Sequence, residues 1–71
     1  MEKPDDQYSI VRRIDWISKR LLRGQPFNST DVAAEFDISA RTALRDMRFV
    51  RAEYFGNQLK YDIAERSYYL S

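Results

Sequence analysis

Two stripes of opposite chemistry run along a single helical period between residues 40 and 55. Ala43, Met47, Val50 and Tyr54 recur at spacings of four, three and four, while Arg41, Arg45 and Arg48 recur at four and three on the other side. Side chains three and four positions apart share a helix face. The spacing therefore predicts a helix from Ala40 to about Phe55 with a core side and a cationic side. Such a helix can pack and hold an anion at once. Ser39 offers an oxygen for its N-cap, and Gly56-Asn57 ends it with turn chemistry.

The rest of the chain must cover that apolar stripe. Ile10, Ile14, Ile17 and Leu21 fall on one face and predict a helix over Tyr8 to Arg23, stopped by Gly24 and Pro26. Arg12, Lys19 and Arg23 lie opposite, with Arg13 and Arg20 flanking them. Phe27-Asn28 reads as a short extended segment. A short helix follows, capped by Asn28 or Ser29, with Asp31 in its first turn and Val32, Ala33 and Phe36 as its apolar face. Asp37-Ile38 is a tight turn into the cationic helix, and Ile38 plugs the gap between the two. Leu59-Lys60-Tyr61-Asp62 and Ser67-Tyr68-Tyr69-Leu70 read as two strands joined by Ile63-Ala64-Glu65-Arg66. The expected fold class is α+β, mainly helical: three helices followed by a two-stranded β-hairpin wing. Residues 1–7 form a flexible lead-in, and 8–71 form one domain.

A chain of 71 residues holds one small domain and buries about 60% of the surface its unfolded form exposes. Cysteine and histidine are both absent. That excludes disulfides, thiolate nucleophiles, imidazole bases and nearly every zinc or haem site. Catalysis by Asp, Glu, Lys, Ser or Tyr would need a pocket that a small helical domain has little room for. The reading is a binding protein, not an enzyme, with no metal and no cofactor. No apolar run approaches the roughly 18 residues of a membrane span, so no membrane partner is expected and the cytoplasm is the expected compartment. The formal charge of +1 hides its distribution. Residues 8–51 carry nine cations against Asp15, Asp31, Glu35, Asp37 and Asp46. Most are arginine, whose planar fork suits phosphates and guanine edges. Cations grouped in this way suggest a polyanion.

A short helix, a tight turn and a longer helix over residues 29–50 make a helix–turn–helix. The major groove of DNA is about 12 Å wide and admits one helix, whose N-terminal residues meet base edges first. Here those residues are Ser39, Ala40, Arg41, Thr42 and Arg45, with Arg48 one turn on and better placed for the backbone. Ser29 and Thr30, opening the preceding helix, can offer N–H groups to a phosphate. Lys60 and Arg66 would position the wing.

Ser39-Ala40-Arg41-Thr42-Ala43-Leu44-Arg45-Asp46-Met47 matches the Ser-x-x-Thr-(apolar)-x-Arg-Asp-(apolar) signature of a known recognition helix. Asp31-Val32-Ala33-Ala34-Glu35-Phe36 matches the short helix before it, and Tyr68-Tyr69-Leu70 the strand that closes its wing. On these motifs residues 10–70 resemble the winged helix–turn–helix of the DeoR type, closest to the N-terminal domain of WYL-domain transcriptional regulators. Asp37 stands where that family usually has glycine, Ala43 where it has a branched residue, Leu44 where arginine is common, and Ser67 where glycine precedes the closing aromatics. The resemblance implies a sequence-specific double-stranded DNA-binding module of a bacterial or phage regulator, associated with the nucleoid. A homodimer on a pseudo-palindromic operator is expected, with ligand sensing in an effector domain outside this chain. The alternative is a winged-helix protein-interaction module docking through Trp16, Leu44 and Phe49. Trp16 is either an exposed anchor or a second packing surface under the wing. Asp46 is expected to pair with an arginine of the first helix or of the wing, and the first helix's cations to be a solvated face or contacts to flanking phosphates.

Overall fold

In the computed structural model, which describes residues 7–71, the isoleucine stripe winds into α1, Gln7–Leu22. The lead-in expected over residues 1–7 lies outside the described residues except for Gln7, which opens α1. The helix stops as its composition requires. Gly24 takes φ 68°, the left-handed state that glycine enters without steric cost, and Gln25 N–H then donates to the Arg20 carbonyl at 2.9 Å.

Asn28, in extended backbone, caps α2, Ser29–Phe36. Its Oδ1 accepts from Asp31 N–H at 3.0 Å, and the Asp31 carboxylate accepts from Asn28 N–H at 2.9 Å. This reciprocal box satisfies two helix-terminal donors together. Asp37 ends α2 in the left-handed state, φ 53° and ψ 51°. A short carboxylate side chain tolerates that geometry, whereas a β-branched one meets the following carbonyl. Asp37→Val costs about 1–2 kcal/mol of stability in urea unfolding, while glycine there leaves stability level or raises it. Little change in the valine variant would show that the turn is not held left-handed.

The cationic helix, α3, covers Ala40–Val50 and is shorter than its spacing predicts. Arg51–Phe55 continue as one wider π-helical turn, followed by a 3₁₀ turn at Gly56–Gln58. Widening by one residue changes which side chain meets the core. Phe55, five positions after Val50, packs against it, and Tyr54 is turned out to solvent. The expectation that Tyr54 completes the apolar stripe is thus corrected.

Strands β1, Leu59–Asp62, and β2, Ser67–Leu70, pair antiparallel with Leu59 opposite Leu70 and Tyr61 opposite Tyr68. Their tyrosine rings meet edge to face at 4.8 Å. Tyr68 N–H donates to the Phe27 carbonyl at 2.8 Å, so the extended segment before α2 joins the hairpin. Burial raises the Tyr68 phenol above its ordinary pKa, helped by Tyr61 and opposed by Arg51. Arg51 Nη2 donates to the Leu59 carbonyl at 3.1 Å and ties the π turn to β1.

The core draws on all three helices and β1, with Ile14, Ile17 and Leu21 of α1, then Phe27, Val32 of α2, Ala43, Met47 and Val50 of α3, and Leu59 of β1, while Tyr68 and Leu70 of β2 pack half-buried against it. Each large aliphatic buried there contributes roughly 1.5–3 kcal/mol. Trp16 stands edge-on to Phe27 at 5.7 Å and to Phe36 at 5.9 Å, with the Arg20 guanidinium 4.6 Å over its ring. It is a packing surface between α1 and α2, and it meets the wing indirectly, through Phe27 against Tyr68. Among the described residues, no helix is long and apolar enough to cross a membrane.

Candidate nucleic-acid interface

Four side chains nail α3 to the body from one side. Ala43, Met47 and Val50 are buried, and so is Asp46 at 4% exposure. The Asp46 carboxylate receives two hydrogen bonds from the Arg13 guanidinium of α1, one from Nε and one from Nη2, the latter at 3.2 Å. Arg13 is itself only 2% exposed. A planar guanidinium meeting a carboxylate two-pronged fixes direction as well as distance. The expected pairing of Asp46 with a first-helix arginine is therefore present. Arg13, by contrast, is neither solvated nor open to a phosphate, because it lies on the edge of α1 that faces α3. A charge at that edge is tolerated in the core only because its partner is there with it.

With that side fixed, Arg41, Arg45 and Arg48 stand exposed on the other. Ser39 sits at the N-terminal end of α3, and its Oγ accepts from Thr42 N–H at 3.1 Å and donates to Thr42 Oγ1 at 3.0 Å. The Thr42 hydroxyl keeps its own proton for an outside acceptor. Ala40 adds no side chain that would hold a surface away. Ser39, Ala40, Arg41 and Thr42 thus form one end of the helix, with Arg45 and Arg48 one and two turns on.

The remaining candidates lie on other elements. Ser29 and Thr30 open α2, Thr30 exposed and Ser29 half-buried. The capping box uses the Asn28 and Asp31 N–H groups internally, which leaves those of Ser29 and Thr30 to face an anion. The Asp31 carboxylate beside them offsets part of the helix-end charge. Lys60 is exposed on β1, opposite Tyr69. Arg66 is exposed at the end of the hairpin turn in the left-handed state, φ 53°. Its carbonyl accepts from Asn28 Nδ2 at 3.1 Å, which draws that turn toward the first turn of α2.

Sequence reasoning missed two features. Asn28 ties the wing as well as capping a helix, and its amide was the legible signal. Ile63, at the tip of the hairpin, is 82% exposed, the most exposed of the large apolar side chains described. Leu44 and Phe49 are exposed, as their positions outside the apolar stripe predict. Trp16 is packed and drops out of the docking set. Among the described residues no group of His, Cys, Asp or Glu is placed to hold a metal ion. Compared with known protein families and with curated proteins, the chain matches none.

Proposed function

We propose that the chain is a sequence-specific double-stranded DNA-binding module of a cytoplasmic transcriptional regulator, a winged helix–turn–helix of the DeoR kind with α3 as its reading helix. The observation that carries this is the two-sidedness of α3. One side is fixed by three apolar residues and the Arg13–Asp46 pair, and the other presents Arg41, Arg45 and Arg48 outward. Arg41 forks onto a guanine edge, Thr42 donates to a phosphate or base acceptor, and Arg48 neutralises backbone. A module this small gains useful affinity from two half-sites, so a homodimer on sites about 10–10.5 base pairs apart is the working arrangement.

The test is selection from random duplex DNA by the purified chain at two salt concentrations. An enriched motif, above all a two-fold one, supports the reading, and no retention at low salt overturns it. Arg66→Ala, outside α3, lowers affinity for all sequences alike and reduces the log–log salt slope by about 0.9, the share of one phosphate. An unchanged slope removes Arg66 from the contact set.

A second reading has one observation in its favour. Ile10, Val11, Ile14, Phe49 and Tyr54 line an apolar groove between α1 and the end of α3, where the Phe49 and Tyr54 rings meet at 6.0 Å. A protein-interaction module would dock there, and its binding would persist at salt concentrations that release DNA.

A further inference from the structure

The hairpin meets the start of α2 at two neighbouring points, Tyr68 N–H on the Phe27 carbonyl and Asn28 Nδ2 on the Arg66 carbonyl. The second bond comes from the same amide whose oxygen caps α2. Capping asks only for an acceptor, so Ser, Thr or Asp would serve α2 about as well. Of these four residue types, asparagine alone also carries an NH₂ donor, and here that donor is used on the wing. The carbonyl it holds belongs to a non-glycine residue in the left-handed state, which persists only where surroundings over-determine it. From the other end of the turn, Asp62 Oδ1 accepts from the N–H groups of Ala64 at 2.9 Å and Glu65 at 3.1 Å. The turn is therefore stiff within itself, while its tip, Ile63, is almost wholly exposed and packs on little. Its place relative to α2 and α3 must be set from its base.

We propose that Asn28 is a positioning residue for the wing: its oxygen caps α2 while its amide holds the Arg66 carbonyl, so that the turn over 63–66 is presented to DNA at a fixed place. The wing's share of binding depends on that bond. This deepens the DNA-binding reading and rests on it.

Asn28→Ser separates the two duties, because a serine oxygen replaces Oδ1 and leaves nothing to reach Arg66. In the free protein, backbone ¹⁵N relaxation should keep α2 at order parameters near 0.85, while those of residues 63–66 drop together, as one stiff unit, below their values in the parent. On a selected duplex the variant should lose about 3–10-fold in affinity, the share of one hydrogen bond. It should also lose protection on the wing's flank and keep the base preference read by α3. Should serine cap poorly, Asn28→Asp keeps α2 capped and is judged by relaxation alone, with the same release of 63–66 expected. An unchanged turn in both variants overturns the proposal, and so does a released turn with unchanged affinity and footprint. A wild-type chain that retains no duplex overturns the DNA reading itself, a failure distinguishable from either.

Discussion

Asp46→Ala costs the domain about 3–5 kcal/mol of folding stability, because it leaves the Arg13 guanidinium buried without its carboxylate. A 71-residue domain is worth roughly 4–11 kcal/mol in all, so the variant stands near the edge of folding. Urea unfolding followed by circular dichroism measures the loss. The companion measurement replaces both partners by apolar residues of similar size, Arg13→Met with Asp46→Leu. That double variant should return to within about 1 kcal/mol of the parent or exceed it, since neither charge is then desolvated. A loss below about 1 kcal/mol in Asp46→Ala would mean that water reaches the guanidinium and that the pair is no strut between α1 and α3.

Arg41→Ala has the second largest effect expected, this time on binding. Loss of a two-pronged contact to one base should cost about 1–3 kcal/mol at the preferred site and flatten preference at a single position. Arg48→Ala is the control, because a backbone contact weakens all duplexes alike and leaves the preferred sequence unchanged. Competition binding on single-position variants of the selected site reads both. If Arg41→Ala keeps its selectivity, the reading passes to Thr42 and Arg45, and the N-terminal end of α3 lies differently in the groove.

The sequence was most legible where one physical rule acted alone. The isoleucine stripe of α1, the tyrosine-rich strands and the Ser39 cap all follow from periodicity or from a single side chain, and all stand within a residue or so of expectation. It was least legible where two faces of one element compete. Arg13 belongs by period to the flank of a cationic face, yet α3 passes close enough to enclose it. Only the tertiary arrangement says that Asp46 will be there. The end of α3 failed for a related reason. An unbroken helix would bury Tyr54, but the wider turn delivers Phe55 to the core, and nothing in residues 51–55 announces that choice. At the candidate interface, sequence alone placed Arg41, Arg45 and Arg48 on one exposed side of α3. The Asn28 amide signalled a spare donor, but that it is spent on Arg66 rests on one hydrogen bond between residues 38 positions apart, which only the tertiary arrangement decides.

Trp16 is the chain's single tryptophan. It is half-buried at the α1–α2 junction, set against two aromatic edges and a guanidinium, and among the described residues none of α3 lines the grooves beside it. Its ultraviolet emission is therefore a native reporter of whether α1 and α2 are packed. Occupancy of the arginine face should leave that emission unmoved. In each variant above, an intact indole signal with weakened DNA retention marks a damaged contact. A red-shifted one marks a damaged protein.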